Sequence, residues 1–360
     1  MAGASLPIIR ITTPNRTFKD HKDSVLALAF LPDGRRIVTC SYDKTLSLWD
    51  MRNGVVLKKM EGHRGWVRSV AVSGDGRLIA SGDTSGELIV WHGDSGNCLI
   101  QAVKVHSKQI CSVAFSPDGT VLATGSWDKT TELWCTETWQ VQGNPINCGD
   151  EVNCLRYSSS GELLAIATDK DIQIWNPCTR ERTTNFKAHA AINSAWNFSL
   201  AWTPDGTRLL SAGSNADPTI REWDTSTWKQ VGDPWSGHAD SISAIAINSA
   251  ATLIASASYD NQVRLWRFSD QRSIAIFKDS DEVYCVNFST YSNHILSAGA
   301  NRMVTEWAVP EGSLLEETPK EEVSEAGHLS SLKLSSSHFA QDALPEDASE
   351  EQAASKVIFH

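Results

Sequence analysis

The sequence predicts an all-β chain built from seven copies of one small, four-stranded antiparallel sheet, the copies packed radially. Three observations carry this. Seven tryptophans, Trp49, Trp91, Trp134, Trp175, Trp223, Trp266 and Trp307, recur at intervals of 42, 43, 41, 48, 43 and 41 residues, and one Trp per copy accounts for much of an unusual 14 Trp against 5 Tyr in 360 residues. A period of that length marks a repeat in which no copy buries its own apolar face alone. Within each copy the apolar runs are short and β-branched, turn residues separate them, and no segment sustains a helical period. Four short strands do not make a stable sheet alone, but radial packing covers the faces and leaves only short edges.

The elements of a copy follow in order. The first strand is apolar: "VLALAF" (25–30), "VRSVAV" (67–72), "ICSVAF" (110–115). A tight turn follows at Pro32-Asp33-Gly34, Gly74-Asp75-Gly76, Pro117-Asp118-Gly119 or Pro204-Asp205-Gly206. Proline presets φ there and glycine accepts a positive φ. A second strand, such as "RRIVTC" (35–40) or "TVLATG" (120–125), leads into an Asp turn and a third strand ending in Trp, as in "SYDKTLSLW" (41–49), "SWDKTTELW" (126–134) and "SYDNQVRLW" (258–266). A weaker fourth strand, "VVLKKM" (55–60) in the first copy, leads to the next His. His21, His63, His106 and His238 each stand 28 residues before their Trp, whereas His189 stands 34 before because copy five is longer. Its extra residues, "AAINSAWNFS" (190–199), are expected to protrude beside the His loops, as a partner-specific bump or as an inert loop.

The Gly-His starts (Gly62-His63, Gly237-His238), the Asp turns and the Trp-Asp ends (Trp49-Asp50, Trp223-Asp224) resemble the WD-repeat (WD40) family over about residues 15–309. The resemblance implies a seven-bladed β-propeller. The last copy ends near Pro310 without an outer strand, while "NRTFK" (15–19) is an outer strand without a preceding blade. The N-terminal strand is therefore expected to complete blade seven and fasten the ring. The organisation read from the chain is an extension over 1–14, a propeller over 15–310 and a tail over 311–360. The tail holds eleven Asp or Glu, three Lys, no Arg and nine Ser, and is expected to be disordered. It carries −8 of the net −11, so the body, at −3, offers no general nucleic-acid surface.

The resemblance also implies a buried hydrogen-bonded set of His, Ser or Thr, Asp and Trp in each standard blade. Position by position these are His21, Thr39, Asp43 and Trp49 in blade one, and His106, Thr124, Asp128 and Trp134 in blade three. Blade five has His189, Ser211, Asp217 and Trp223, and blade six His238, Ser256, Asp260 and Trp266. Physical chemistry agrees: a buried indole N–H needs an acceptor, a hydroxyl accepts and passes the bond on, and a buried carboxylate needs donors. Four near-identical sets around one ring read as architecture, not as a repeated catalytic triad. Three blades depart. Blade two has Ser85 in the Asp slot beside His63, Ser81 and Trp91; blade four has Cys148 and Ala165 in the His and hydroxyl slots, with Asp169 and Trp175; blade seven has Asp279 for His and Asn301 for Asp. Blades four and seven are expected to be the least rigid, or to have loops released to serve a partner.

In the resembled family partners dock on the face of the His loops and Asp turns. The slot before the Asp holds Tyr42, Trp127 and Tyr259; the slots beside the first residue of the inner strand hold Trp66, Arg68 and Tyr284, with Trp196 and Phe198 from the longer copy. Aromatics and Arg are the residues enriched in interface hot spots. The expected function is a non-catalytic scaffold presenting this face to protein or peptide partners, as a monomeric propeller within a complex. The alternatives are a reader of methylated peptides through an aromatic cage and, behind it, an enzyme with a site in the central channel. The chain has no GxxxxGK[ST], HExxH or GxSxG motif. No cofactor, metal or nucleic acid is expected. The eight Cys show no CxxC pair and no zinc spacing, and read as buried free thiols of a reducing compartment. No apolar run reaches 18 residues and no signal peptide is visible, so a cytoplasmic or nuclear protein without a membrane span is expected. The glycosylation-like triplets at Asn15, Asn197 and Asn287 then read as chance.

Overall fold

A computed structural model describes residues 7–189 and 199–313. They form seven antiparallel blades of four strands; in blades one to six these four follow in chain order from the inner to the outer edge, and in blade seven the outer strand comes from the N-terminal segment. Blade one runs Val25–Phe30, Arg36–Ser41, Leu46–Asp50 and Val55–Met60. The inner strands of blades two to seven are Val67–Val72, Ile110–Phe115, Val152–Tyr157, Leu200–Trp202, Ile242–Ile247 and Val283–Phe288. The turn glycines Gly34, Gly76, Gly119 and Gly206 adopt φ of 64 to 72°, the left-handed region that a side chain disfavours.

The apolar faces meet between blades. Ile79, Ile89 and Trp91 of blade two join Val38, Leu46 and Leu48 of blade one in one buried cluster, and each further pair of neighbours does the same. Hydroxyls on or just before the inner strands stitch the ring: Ser69 Oγ accepts from Val113 N at 3.0 Å, Ser112 Oγ from Leu155 N at 3.0 Å, and Ser199 Oγ from Ile245 N at 3.1 Å. Ser243 Oγ donates to Val283 O at 2.6 Å.

The ring closes through the N-terminal strand. Arg16–Lys19 pairs antiparallel with Met303–Ala308, Phe18 opposite Val304. Phe18 is buried against Trp49 of blade one, ring centres 6.3 Å apart, so the closing strand also grips the first blade. Gly54 makes room for it: a Cβ there would stand 2.5 Å from the Phe18 ring. Arg16 adds an ion pair with Glu306 and donates to Met51 O at 2.8 Å. The N-terminal extension contains one further element. Ile9–Ile11 pairs in parallel with the outer strand Ser273–Lys278, giving blade six a fifth strand. A three-residue segment carries too little period-two pattern to be legible in sequence. The tail beyond residue 313 lies outside the described residues.

Candidate functional site

The His loop and the Asp turn of each standard blade sit at the same end of the sheet, tied by bonds that repeat around the ring. In blade one the Trp49 indole N–H donates to Thr39 Oγ1 at 2.8 Å, Thr39 Oγ1 lies 2.8 Å from His21 Nε2, and His21 Nδ1 lies 3.0 Å from Asp43 Oδ2. The network assigns one direction, indole to hydroxyl to imidazole to carboxylate. Blade three repeats it at 3.2, 2.8 and 3.0 Å through Trp134, Thr124, His106 and Asp128. Blade five repeats it at 2.9, 2.9 and 3.1 Å through Trp223, Ser211, His189 and Asp217. Blade six shows 2.8 Å at all three bonds, through Trp266, Ser256, His238 and Asp260.

Charge is settled within these sets. Burial pushes the Asp43 carboxyl up, but hydrogen bonds from His21, Thr45 and the Lys22 amide outweigh it and hold it well below the usual carboxylate range. Burial lowers His106 and His238 against the opposing pull of their Asp partners, which keeps both imidazoles neutral. The hydroxyls of Thr39, Thr124, Ser211 and Ser256 are fully buried and already accept an indole N–H, so no substrate reaches them. The chemistry of these sets is therefore support for the loops above them.

Three blades differ from the sequence assignment or from the standard set. In blade two the acid is Asp83, not a residue at the Ser85 slot. Asp83 Oδ2 lies 3.1 Å from His63 Nδ1, and the Ser81 hydroxyl completes the path to Trp91 at 2.7 and 2.9 Å. Asp83 stands two residues earlier, where blade one has Ser41, and its side chain reaches the same point from the strand end. In blade four Asp169 is not in the set. Trp175 donates to Gln173 Oε1 at 3.0 Å, and Gln173 Nε2 donates to Cys148 O at 2.8 Å and to Asp171 Oδ1 at 2.9 Å. Asp169 instead accepts from Asn153 Nδ2 at 2.7 Å. In blade seven Trp307 donates to Ser297 at 2.9 Å and Asn301 Nδ2 to Asp279 Oδ1 at 2.6 Å, leaving Asp279 Oδ2 buried with no hydrogen-bond partner among the described residues.

Above the sets lies the mouth of the central channel. Tyr42, Arg68, Tyr259 and Tyr284 line one cavity of about 540 Å³ together with Asn153. Tyr42 packs on Trp66 with ring centres 4.7 Å apart, and Trp66 is 50% exposed. Tyr259 and Tyr284 meet edge to face at 5.4 Å, and Tyr284 donates to Glu282 Oε2 at 2.8 Å. Trp127 stands one step back, its N–H donating to Asn153 Oδ1 at 3.0 Å. Burial and the neighbouring Glu151 and Asp150 push the Asp169 carboxyl up, although the bond from Asn153 opposes the shift. Trp196 and Phe198 lie outside the described residues. The sequence reading missed Asn153, although it occupies the same inner-strand slot as Arg68 and Tyr284, which is the signal that marks it. Glu282 carries no such signal. Among the described residues no group of three His, Cys, Asp or Glu is placed to hold a metal ion.

With this geometry in view, comparison with known proteins adds two findings. A family model described as the first β-propeller of IFT122 matches residues 24–199, and the WD domain, G-beta repeat model matches residues 180–224, 228–267 and 271–307. The chain is similar to Denticleless protein homolog B of Xenopus laevis (26% identical, covering 71% of this chain and 42% of that protein). It is similar to the serine-threonine kinase receptor-associated protein of Gallus gallus (25%, covering 73% and 72%) and to striatin of Mus musculus (23%, covering 81% and 41%). The chain thus spans less than half the length of the Xenopus and mouse relatives.

Proposed function

Because the chain belongs to the WD-repeat β-propeller family, we propose that it is a non-catalytic interaction scaffold whose His-loop face receives a protein or peptide partner at the channel mouth. The observation that carries this reading is the half-exposed Trp66, packed at a tilt against Tyr42 beside Arg68 at the rim of the channel. A large aromatic left in solvent on a rigid support loses little entropy on binding and gains a full burial. The set beneath it makes the support rigid, since the loop carrying Trp66 is tied down by the buried Asp83, which accepts from His63 and the Gly65 amide. The name of the Gallus gallus relative, a receptor-associated protein, supports the same class of work.

The test is affinity purification with quantitative mass spectrometry from cells expressing the wild type, Trp66→Ala with Arg68→Ala, or Tyr291→Ala. Tyr291 is 81% exposed on the hairpin at the opposite end of blade seven. The double variant is expected to lose specific partners at an unchanged melting temperature, and Tyr291→Ala to keep them. Full retention by the double variant refutes the assignment of the face. A second reading, recognition of a methylated side chain, rests on the edge-to-face Tyr259–Tyr284 pair beside the Glu282 carboxylate. A modified-peptide array read with wild type and Tyr284→Ala separates the two.

A further inference from the structure

Among the described residues, blade six alone carries an added strand on its outer edge. Ile9, Arg10 and Ile11 lie parallel to Ala275, Ile276 and Phe277. Backbone pairing of this kind is indifferent to side chains, so fit is decided by what the alternate side chains meet. Ile9 and Ile11 stand over Ala275 and Phe277, and Ile11 packs on the blade six–seven core. Arg10 falls on the other face. Its row continues through Ile276 to Arg264 on the next strand, because Ile276 pairs with both.

That row is mismatched. Arg264 is partly buried, with its guanidinium 6.0 Å from the centre of the Trp266 ring. One nitrogen donates to Gln262 Oε1 at 3.2 Å, but Nε is buried without an acceptor. The nearest turn carboxylate, Asp260, is already committed to His238, the Ala239 amide and the Gln262 amide. Burial holds the Arg264 guanidinium below its usual range; Asp260 opposes this, and the Arg10 charge adds to it. The strap is also short, with Ile8 45% and Ile9 46% exposed.

We propose that the outer edge of blade six is a strand-addition site for a partner segment of apolar–acidic–apolar pattern, covered in the free protein by the chain's own Ile9–Ile11. A Glu in the middle position lies two strands from Arg264, a gap of about 10 Å that two extended side chains span, and supplies the acceptor that Nε lacks. A second copy of this chain brings Arg10 again and repeats the mismatch, so the partner is a different protein. The site is on the rim of the ring and independent of the channel mouth.

The experiment is fluorescence anisotropy of the full chain with two labelled peptides, Pro-Ile-Ile-Glu-Ile-Thr and its Arg form, the latter being the chain's own residues 7–12. The Glu peptide is expected to bind at least tenfold more tightly. Arg264→Gln is expected to bring the two within about twofold. Arg10→Glu, which places a matched occupant in the strap itself, is expected to weaken the Glu peptide tenfold or more; this exposed position keeps the test open should Arg264→Gln fail to fold. Hydrogen exchange at Ile9–Ile11 should accelerate when the Glu peptide binds. Equal binding of the two peptides, no saturable binding of the Glu peptide at 1 mM, or binding without faster exchange at Ile9–Ile11 overturns the proposal.

Discussion

Asp83→Ala is the sharpest test of how the blades are held. Asp83 is fully buried with His63 and accepts four bonds. Its Oδ2 takes His63 Nδ1 at 3.1 Å and the Gly65 amide at 3.0 Å; its Oδ1 takes the amides of Ser85 at 2.8 Å and Glu87 at 2.9 Å. Removing the carboxylate strands these donors away from water. One orphaned buried donor costs about 1–3 kcal/mol, and removal of one partner from a buried pair typically costs about 3–5 kcal/mol. The expected loss is thus about 4 kcal/mol, or on the order of 10 °C in melting temperature for a domain of this size. Ser85→Ala, at the position that sequence alignment assigns to the acid, should cost less than about 0.5 kcal/mol. The gap should also depend on pH. Burial raises the Asp83 carboxyl, but the bonds from His63, Glu87 and Gly65 win and hold it below its unfolded value. Its contribution is therefore present above the unfolded pKa and lost as pH falls through the folded one. Urea titrations of both variants at neutral and acid pH measure this. A loss under 1 kcal/mol for Asp83→Ala, or an equal loss for Ser85→Ala, refutes the reasoning.

Two further expectations concern the closing blades. Burial raises the Asp279 carboxyl, with Asp281 adding and the Ser280 and Asn301 bonds opposing. Its stabilisation is therefore complete below the unfolded pKa and is lost as pH rises through the raised folded value. Asp279→Asn should gain on the wild type in melting temperature as pH goes from 4 to 8; a constant difference counts against a raised pKa. Gly54→Ala places a Cβ 2.5 Å from the Phe18 ring at a φ of +70°. It should lose about 2–3 kcal/mol and speed hydrogen exchange of the Arg16–Lys19 strand, and an unchanged midpoint in urea would show that the ring closes without Phe18.

Much of the fold was legible because it is written seven times. Each Trp and each Pro-Asp-Gly turn is a local signal, and repetition separates pattern from accident. Thus the strands of blade one, Val25–Phe30 and Arg36–Ser41, fall where the apolar runs stand, and "NRTFK" lacks any partner but blade seven. The candidate site was legible only in part. Tyr42, Arg68, Tyr259 and Tyr284 share one channel mouth because equivalent slots on equivalent blades must point to the same axis. Glu282 was not visible, since its role depends on where the Tyr284 hydroxyl ends.

What the sequence by itself determined is whatever depends on chain-local chemistry: strand, turn, period, number of blades and the closing strand. What only the tertiary structure decided depends on distance through space. Asp83 serves in place of Ser85, and Gln173 with Asp171 in place of Ala165 with Asp169, because a hydrogen bond asks that an atom lie within about 3 Å and not that a residue occupy a given slot. Ile9–Ile11 found blade six for the same reason: a three-residue strand has no pattern of its own, and its place is set by the edge that the chain's path brings beside it.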